Sequence, residues 1–125
     1  MKEQHGALSG RRVLVVEDEA LIALTVEEEA RLQGATDIYV AHHKQQALEA
    51  IEQFQPDFAV LDVGLVDSGE DYAIADLLAD RGIAFIFSSG HLAGELPDRH
   101  AGRPFVSKPM QSGDFVEACA MALGR

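Results

Sequence analysis

Cysteine, positive charge and long apolar stretches are all scarce in this sequence. Cys119 is the single cysteine, so no disulfide can form within the chain, which fits a reducing compartment. Only 10 lysine and arginine residues stand against 21 aspartate and glutamate residues, and the formal charge of -11 disfavours binding to nucleic acid or anionic lipid. The apolar runs are too short to cross a bilayer, and residues 1–10 lack the apolar segment of a signal peptide. We therefore expect a cytoplasmic protein with neither a membrane nor a nucleic-acid partner.

The size and composition of the chain are those of one globular domain. It has 125 residues, of which 47% are hydrophobic and 25% are charged, a mixture typical of folded rather than disordered proteins. We expect an N-terminal tail over residues 1–10 and one domain over residues 11–125, as a monomer or weak dimer. We also expect no output domain after the last helix, so that any effect travels through contacts with other proteins.

Strand-like and helix-like segments alternate along the chain. The run Val13–Val16 is continuously apolar, which is typical of a parallel strand covered on both faces. Alternation with short loops predicts right-handed crossovers, and five strands favour a doubly wound, flavodoxin-like α/β sheet in the order 2-1-3-4-5. The predicted strands cover 12–16, 36–41, 58–61, 84–88 and 104–107, and the predicted helices cover 19–33, 44–54, 71–81 and 112–123.

Local signals mark the ends of some helices and the absence of a regular one. Asp18 is predicted to cap the first helix at its N-terminus, and Gly34 to end it in a left-handed conformation. Residues 91–103 should hold a helix between the fourth and fifth strands, but Gly94, Pro97 and Gly102 oppose one. We expect a short or irregular helix there.

Polar residues follow the strands at the edge of the sheet where ligands of such folds bind. That edge is formed by the carboxyl ends of the strands, and the strand order reverses between strands one and three. Crowded carboxylates repel one another unless a cation lies among them, and an all-oxygen site suits Mg²⁺. A carboxylate beside this cation can attack phosphorus, with a lysine and a hydroxyl holding the phosphoryl oxygens. The residues concerned are Glu17, Asp18, Asp62, Ser88, Ser89 and Lys108.

Three short motifs together resemble one known family. Val13-Leu14-Val15-Val16-Glu17-Asp18-Glu19, Leu61-Asp62-Val63 and Ser107-Lys108-Pro109 are similar to motifs of CheY-like receiver domains of two-component response regulators. Each motif is unspecific alone, but their order and their positions at strand ends are together specific. The resemblance covers residues from about Arg11 to Arg125.

The resemblance implies a role for each residue of the site. Asp62 would accept a phosphoryl group from a sensor histidine kinase or a histidine phosphotransfer protein, and the downstream protein target is unknown. Asp18 would bind Mg²⁺ directly, Glu17 through a water molecule and Gly64 through its backbone carbonyl, and Asp62 would also be a metal ligand. Lys108 would pair with the phosphoryl group, Lys108-Pro109 would be a cis peptide, and Phe105 would be an aromatic switch. The domain would assist its own phosphorylation without being an enzyme in the usual sense.

Two serines compete for the role of the switch hydroxyl. The segment Phe87-Ser88-Ser89-Gly90 resembles the Phe-Ala-Thr-Gly motif of the FAT GUY subgroup of receivers, which aligns Ser89 with the threonine. Leu92 stands where that motif has its tyrosine. Gly64 and His91 occupy the positions that tune dephosphorylation in receivers, and the lifetime of the phosphorylated state is left open.

Other functions use a similar sheet. An aspartate-nucleophile phosphatase of the haloacid dehalogenase type would need a second aspartate at position 64, which is glycine. A flavin or nucleotide carrier would need a phosphate-binding loop after strand one, where Glu17-Asp18-Glu19 would repel phosphate. A degenerate receiver could serve only as a docking module. Simpler structural roles also exist: Phe105 and Cys119 as packing residues, and His42 and His43 as solvent-facing residues.

Overall fold

Five parallel strands form one sheet. In this computed structural model the structure describes residues 6–62, 72–89, 100, 102–107 and 111–124, with Ser89 and Ser112 described by their backbone alone. The strand order is β2-β1-β3-β4-β5, which confirms the predicted doubly wound order. The strands are β1 (Arg12–Val16), β2 (Asp37–Ala41), β3 (Phe58–Asp62), β4 (Ala84–Ser89) and β5 (Phe105–Ser107).

Helices cover both faces of the sheet. They are α1 (Ala20–Leu32), α2 (Lys44–Gln53), α3 (Ala73–Asp80) and α4 (Ser112–Ala122). The short or irregular helix was predicted over residues 91–103, of which 91–99 and 101 lie outside the described residues. None of the described helices has both the length and the apolar character required to cross a membrane.

The ends of α1 confirm one local prediction and correct another. Gly34 has a φ of 94°, the left-handed conformation predicted where the helix ends. The prediction that Asp18 caps the helix is wrong, because Glu19 occupies the N-cap position with an extended backbone and makes no side-chain cap hydrogen bond. The backbone N–H of Glu19 instead donates to Oε2 of Glu17 at 3.2 Å.

The alternation of side chains along each strand divides the core into two layers. On one face, α2 and α3 pack over Leu14, Leu61, Phe85 and Phe87. On the other face, α1 and α4 cover a second set of buried strand residues, which are Val13, Val15, Phe58, Val60, Ile86 and Val106. Full burial of each large apolar side chain contributes about 1.5–3 kcal/mol. The continuous apolar strands therefore have the two-sided burial predicted for a parallel sheet.

The N-terminal segment 6–10 packs against the second of these layers. Leu8 is fully buried in it, and its backbone N–H donates to the carbonyl of Gln33 at 2.9 Å. A Cβ atom on Gly6 would lie 2.2 Å from the same carbonyl oxygen, so the close approach requires glycine. The division into a tail over 1–10 and a domain over 11–125 stays a prediction, but residues 6–10 contact the domain.

Cys119 lies in α4 as a buried packing residue, as the sequence predicted. Burial raises the pKa of its thiol from 9.0 to about 12.

We expect iodoacetamide to leave the folded protein unmodified near neutral pH and to alkylate it in denaturant, because only the thiolate reacts. The pKa of this thiol is higher in the folded chain than in the unfolded chain. The free energy of unfolding therefore keeps its full value below pH 9.0 with respect to this group, and it falls as the pH rises toward about 12, because the unfolded chain can ionise the thiol more easily. Equal alkylation of the folded and unfolded chains would contradict this.

Candidate functional site

The carboxyl ends of β1 and β3 bring the acidic residues of the sequence motifs together. Val16, the last residue of β1, pairs with Leu61 of β3. Glu17 and Asp62, which follow these two residues, therefore lie at the same level of the sheet. The buried apolar ladder below them sets this level, since a slip of one residue would turn each apolar side chain to the wrong face.

Glu17, Asp18 and Asp62 form a compact acidic cluster. One carboxylate oxygen from each lies within 4.8 Å of the other two. Glu17 and Asp62 are only 2% and 6% exposed, whereas Asp18 is exposed. Carboxylates this close and this buried destabilise one another as anions, and a divalent cation with oxygen ligands would relieve that repulsion. The structure thus brings together the three side chains predicted to bind metal.

Backbone and side-chain hydrogen bonds orient Glu17. Its N–H donates to the carbonyl of Ala41 at 3.0 Å, and its carboxylate accepts the N–H of Glu19. Nδ1 of His42 lies 3.1 Å from the Glu17 carbonyl oxygen, in the position of a donor. His42 is exposed, as predicted, but the sequence did not indicate this contact. The contact could have been inferred from the strand register. The last residues of β1 and β2 pair with each other, so Glu17 and His42, which follow them, lie side by side.

Of the two serines at the end of β4, the structure describes Ser88 with its side chain and Ser89 by its backbone alone. Ser88 is buried and its Cα pairs with that of Asp62 across the β3–β4 ladder. Ser89 is the last residue of β4 and pairs with Ser107, and its side chain lies outside the description. Ser89 therefore stays a predicted switch residue, and Ser88 is the serine whose register partner, Asp62, belongs to the acidic cluster.

Of the remaining predicted residues, Phe105 is described and the others are not. Phe105 is the first residue of β5, is half-buried, and packs with its register partner Phe87 on the layer formed with α2 and α3. This position suits a packing role, and its role as a switch stays a prediction. Gly64, Lys108 and Pro109 lie outside the described residues, as does the predicted cis peptide.

Comparison with known proteins identifies the family. No protein-family model matches the sequence. The solved structure of SdrG from Sphingomonas melonis Fr1 is 31% identical with a TM-score of 0.79, over 94% of this chain and 98% of SdrG. The receiver domain of the response regulator PhyR from Erythrobacter litoralis is 29% identical with a TM-score of 0.73, over 94% of this chain and 93% of that domain. The chain belongs to the response-regulator receiver family.

One curated relative is similar to most of this chain. PdtaR of Mycobacterium tuberculosis, a transcriptional regulatory protein, is 30% identical over 120 residues, which is 92% of this chain. The chain spans 58% of the length of PdtaR, so the activity of that whole protein does not transfer. Receivers are signalling modules of two-component systems, and this membership replaces the phosphatase and carrier alternatives.

Proposed function

We propose that Asp62 accepts a phosphoryl group from a histidine kinase or phosphotransfer protein in a Mg²⁺-dependent reaction, and that this switches a protein-interaction surface. The observation that carries the proposal is the convergence of Glu17, Asp18 and Asp62 at the carboxyl ends of adjacent parallel strands. Structural alternatives for these residues, such as turn or helix-start positions, do not require three carboxylates from two strand ends to meet.

The donor set fits Mg²⁺. We assign Asp18 and Asp62 as direct ligands, Glu17 as a ligand through water and Gly64 as a carbonyl ligand, a set made only of the oxygen atoms that this cation prefers. When bound, Mg²⁺ supplies positive charge that offsets the carboxylates and the transferring phosphoryl oxygens. The burial of Glu17 and Asp62 strengthens this effect, because charges interact more strongly away from water.

The residues of this chain carry the transfer itself. A carboxylate oxygen of Asp62 attacks phosphorus, the phosphorus–nitrogen bond of the donor histidine breaks, and its electron pair returns to the imidazole. The Lys108 ammonium would neutralise charge on the phosphoryl oxygens, and the Ser89 hydroxyl would donate a hydrogen bond to one of them. The chain thereby assists its own modification, and we propose no turnover of an external substrate.

Phosphorylation would change the surface through the end of β4. It adds a charge of about -1.5 to -2 and three strong hydrogen-bond acceptors beside this strand. Movement of Ser89 toward these acceptors would shift β4, and Phe105 on β5 would follow. A second solved structure of SdrG, aligned at 32% identity, has the BeF₃-activated conformation. This supports the use of beryllofluoride as a phosphoryl mimic here.

Removal of the metal tests the proposal. We expect acetyl phosphate with Mg²⁺ to add the mass of one phosphoryl group to the intact protein, and EDTA to abolish the addition, because Asp62 cannot attack an anionic phosphate against uncompensated negative charge. Intact mass spectrometry gives the readout. If no adduct forms in Mg²⁺, and if beryllofluoride leaves the amide spectrum unchanged, the domain is instead a docking module that works without phosphorylation.

A further inference from the structure

A buried histidine joins α3 to the segment that enters β5. His100 is only 2% exposed and lies shortly before β5. Its Nε2 is 2.8 Å from Oδ1 of Asp76 on α3, and its Nδ1 is 3.3 Å from Nε of Arg103. The imidazole therefore bridges α3 and the segment that enters β5.

The two partners determine where the imidazole carries its hydrogen. The Nε of arginine always bears a hydrogen, so Arg103 donates and Nδ1 of His100 must accept. The ring hydrogen then lies on Nε2 and is donated to Asp76. A buried polar group that loses one of two such bonds is destabilised, because no water replaces the lost partner. The imidazole therefore has one favourable orientation, set by both partners together.

Aromatic rings from β4 and from the start of α3 surround His100. The ring centroids of Tyr72, Phe85 and Phe87 lie 6.0, 6.0 and 5.9 Å from that of His100. Phe87 is the residue before Ser88, whose Cα pairs with that of Asp62. Phe87 belongs to the layer covered by α2 and α3, where it faces His100. Because side chains on a strand alternate, Ser88 faces the other side of the sheet, as Asp62 does after Leu61. A shift at the end of β4 must therefore move a ring that contacts this histidine.

Arg103 extends the connection to the surface. Its guanidinium lies over the Phe85 ring, 4.4 Å from the centroid. Together with Pro104 and Met121, it lines two neighbouring grooves between the edge of the sheet and α4. Met121 is 60% exposed there. The two grooves together are called here the Arg103–Met121 groove. The position of Arg103 determines part of the shape and charge of this groove.

We propose that His100 is a positioning residue that couples occupancy of Asp62 to the Arg103–Met121 groove. The inference rests on the proposed function, since it takes a phosphoryl group on Asp62 as the trigger. A shift of β4 moves Phe87 and the imidazole, but Asp76 stays on α3, so both hydrogen bonds cannot keep their geometry. The bond to Arg103 is the longer of the two and yields first. Close-packed interiors respond to such shifts by changing between discrete arrangements.

NMR on the unmodified chain tests this coupling. We would record the side-chain Nε–Hε signal of Arg103 and the ring nitrogens of His100 in Mg²⁺, with and without beryllofluoride. A ¹⁹F signal of bound beryllofluoride reports occupancy of Asp62 independently. We expect both the Arg103 and His100 signals to shift on binding. The Nε–Hε signal of Arg81, whose guanidinium pairs with Glu52 at the surface, is the matched control and should stay in place.

Substitutions separate coupling from mere packing. Arg103→Met keeps an apolar chain over Phe85 and removes the donor, and His100→Asn keeps an acceptor near Nδ1. We expect beryllofluoride to bind both variants. The change that it causes in the chemical shift of the Met121 amide should be mostly lost in Arg103→Met and partly retained in His100→Asn. Arg81→Met should behave as the unmodified chain.

The two ways of failing are distinguishable. Absence of a bound ¹⁹F signal would overturn the proposed function at Asp62. A bound signal with unmoved Arg103 and His100, or with an unchanged Met121 response in Arg103→Met, would overturn the coupling and leave the proposed function in place. If Arg103→Met or His100→Asn does not fold, the measurement on the unmodified chain still decides.

Discussion

Asp62→Asn is expected to abolish phosphoryl transfer from acetyl phosphate. The asparagine keeps the size and most of the polarity of the side chain, but its amide lacks the anionic oxygen that attacks phosphorus. Intact mass spectrometry in Mg²⁺ should show one added phosphoryl group on the unmodified chain and none on the variant. The effect should be complete, because the proposed reaction has no second acceptor.

A matched substitution away from the cluster serves as the control. Asp80 is an exposed aspartate and the last residue of α3, and Asp80→Asn should leave the adduct intact. Asp18→Asn should slow the reaction without moving the acceptor, since it removes one proposed metal ligand. An adduct that persists in Asp62→Asn, or that disappears in Asp80→Asn, would contradict the assignment of Asp62.

Leu8→Ala is expected to lower the free energy of unfolding by about 2–5 kcal/mol. Leu8 is fully buried and packs with the layer covered by α1 and α4. Truncation removes its transfer free energy and leaves a cavity beside close-packed neighbours. Urea denaturation followed by circular dichroism measures the change, which would be a large part of the stability of a domain this size.

An exposed leucine provides the control for this prediction. Leu21 is 80% exposed in the first turn of α1, so Leu21→Ala should change the free energy of unfolding by no more than about 0.5 kcal/mol. A change for Leu8→Ala as small as the one expected for Leu21→Ala would mean that Leu8 does not pack as described. The difference between them would show that the folded unit begins before Arg11.

The sequence by itself determined the fold class and the place of the acidic cluster. Continuous apolar runs and short helical segments are local patterns, and their alternation permits few topologies. Once the strand order follows, residues after strands one and three must meet at one edge of the sheet. Glu17, Asp18 and Asp62 were therefore predictable as a group, because their proximity depends on topology rather than on side-chain detail.

Only the tertiary structure decided the contacts that have no local pattern. Leu8 lies in a short segment without strand or helix periodicity, and its burial depends on the space left beside α1. His100 finds Asp76 and three aromatic rings that are distant in sequence, in a region where glycine and proline obscure any pattern. The N-cap of α1 shifted from Asp18 to Glu19, where the backbone N–H is satisfied by the carboxylate of Glu17. Such contacts are selected by the packing of the whole chain, and the free energy of each is realised only when distant segments meet.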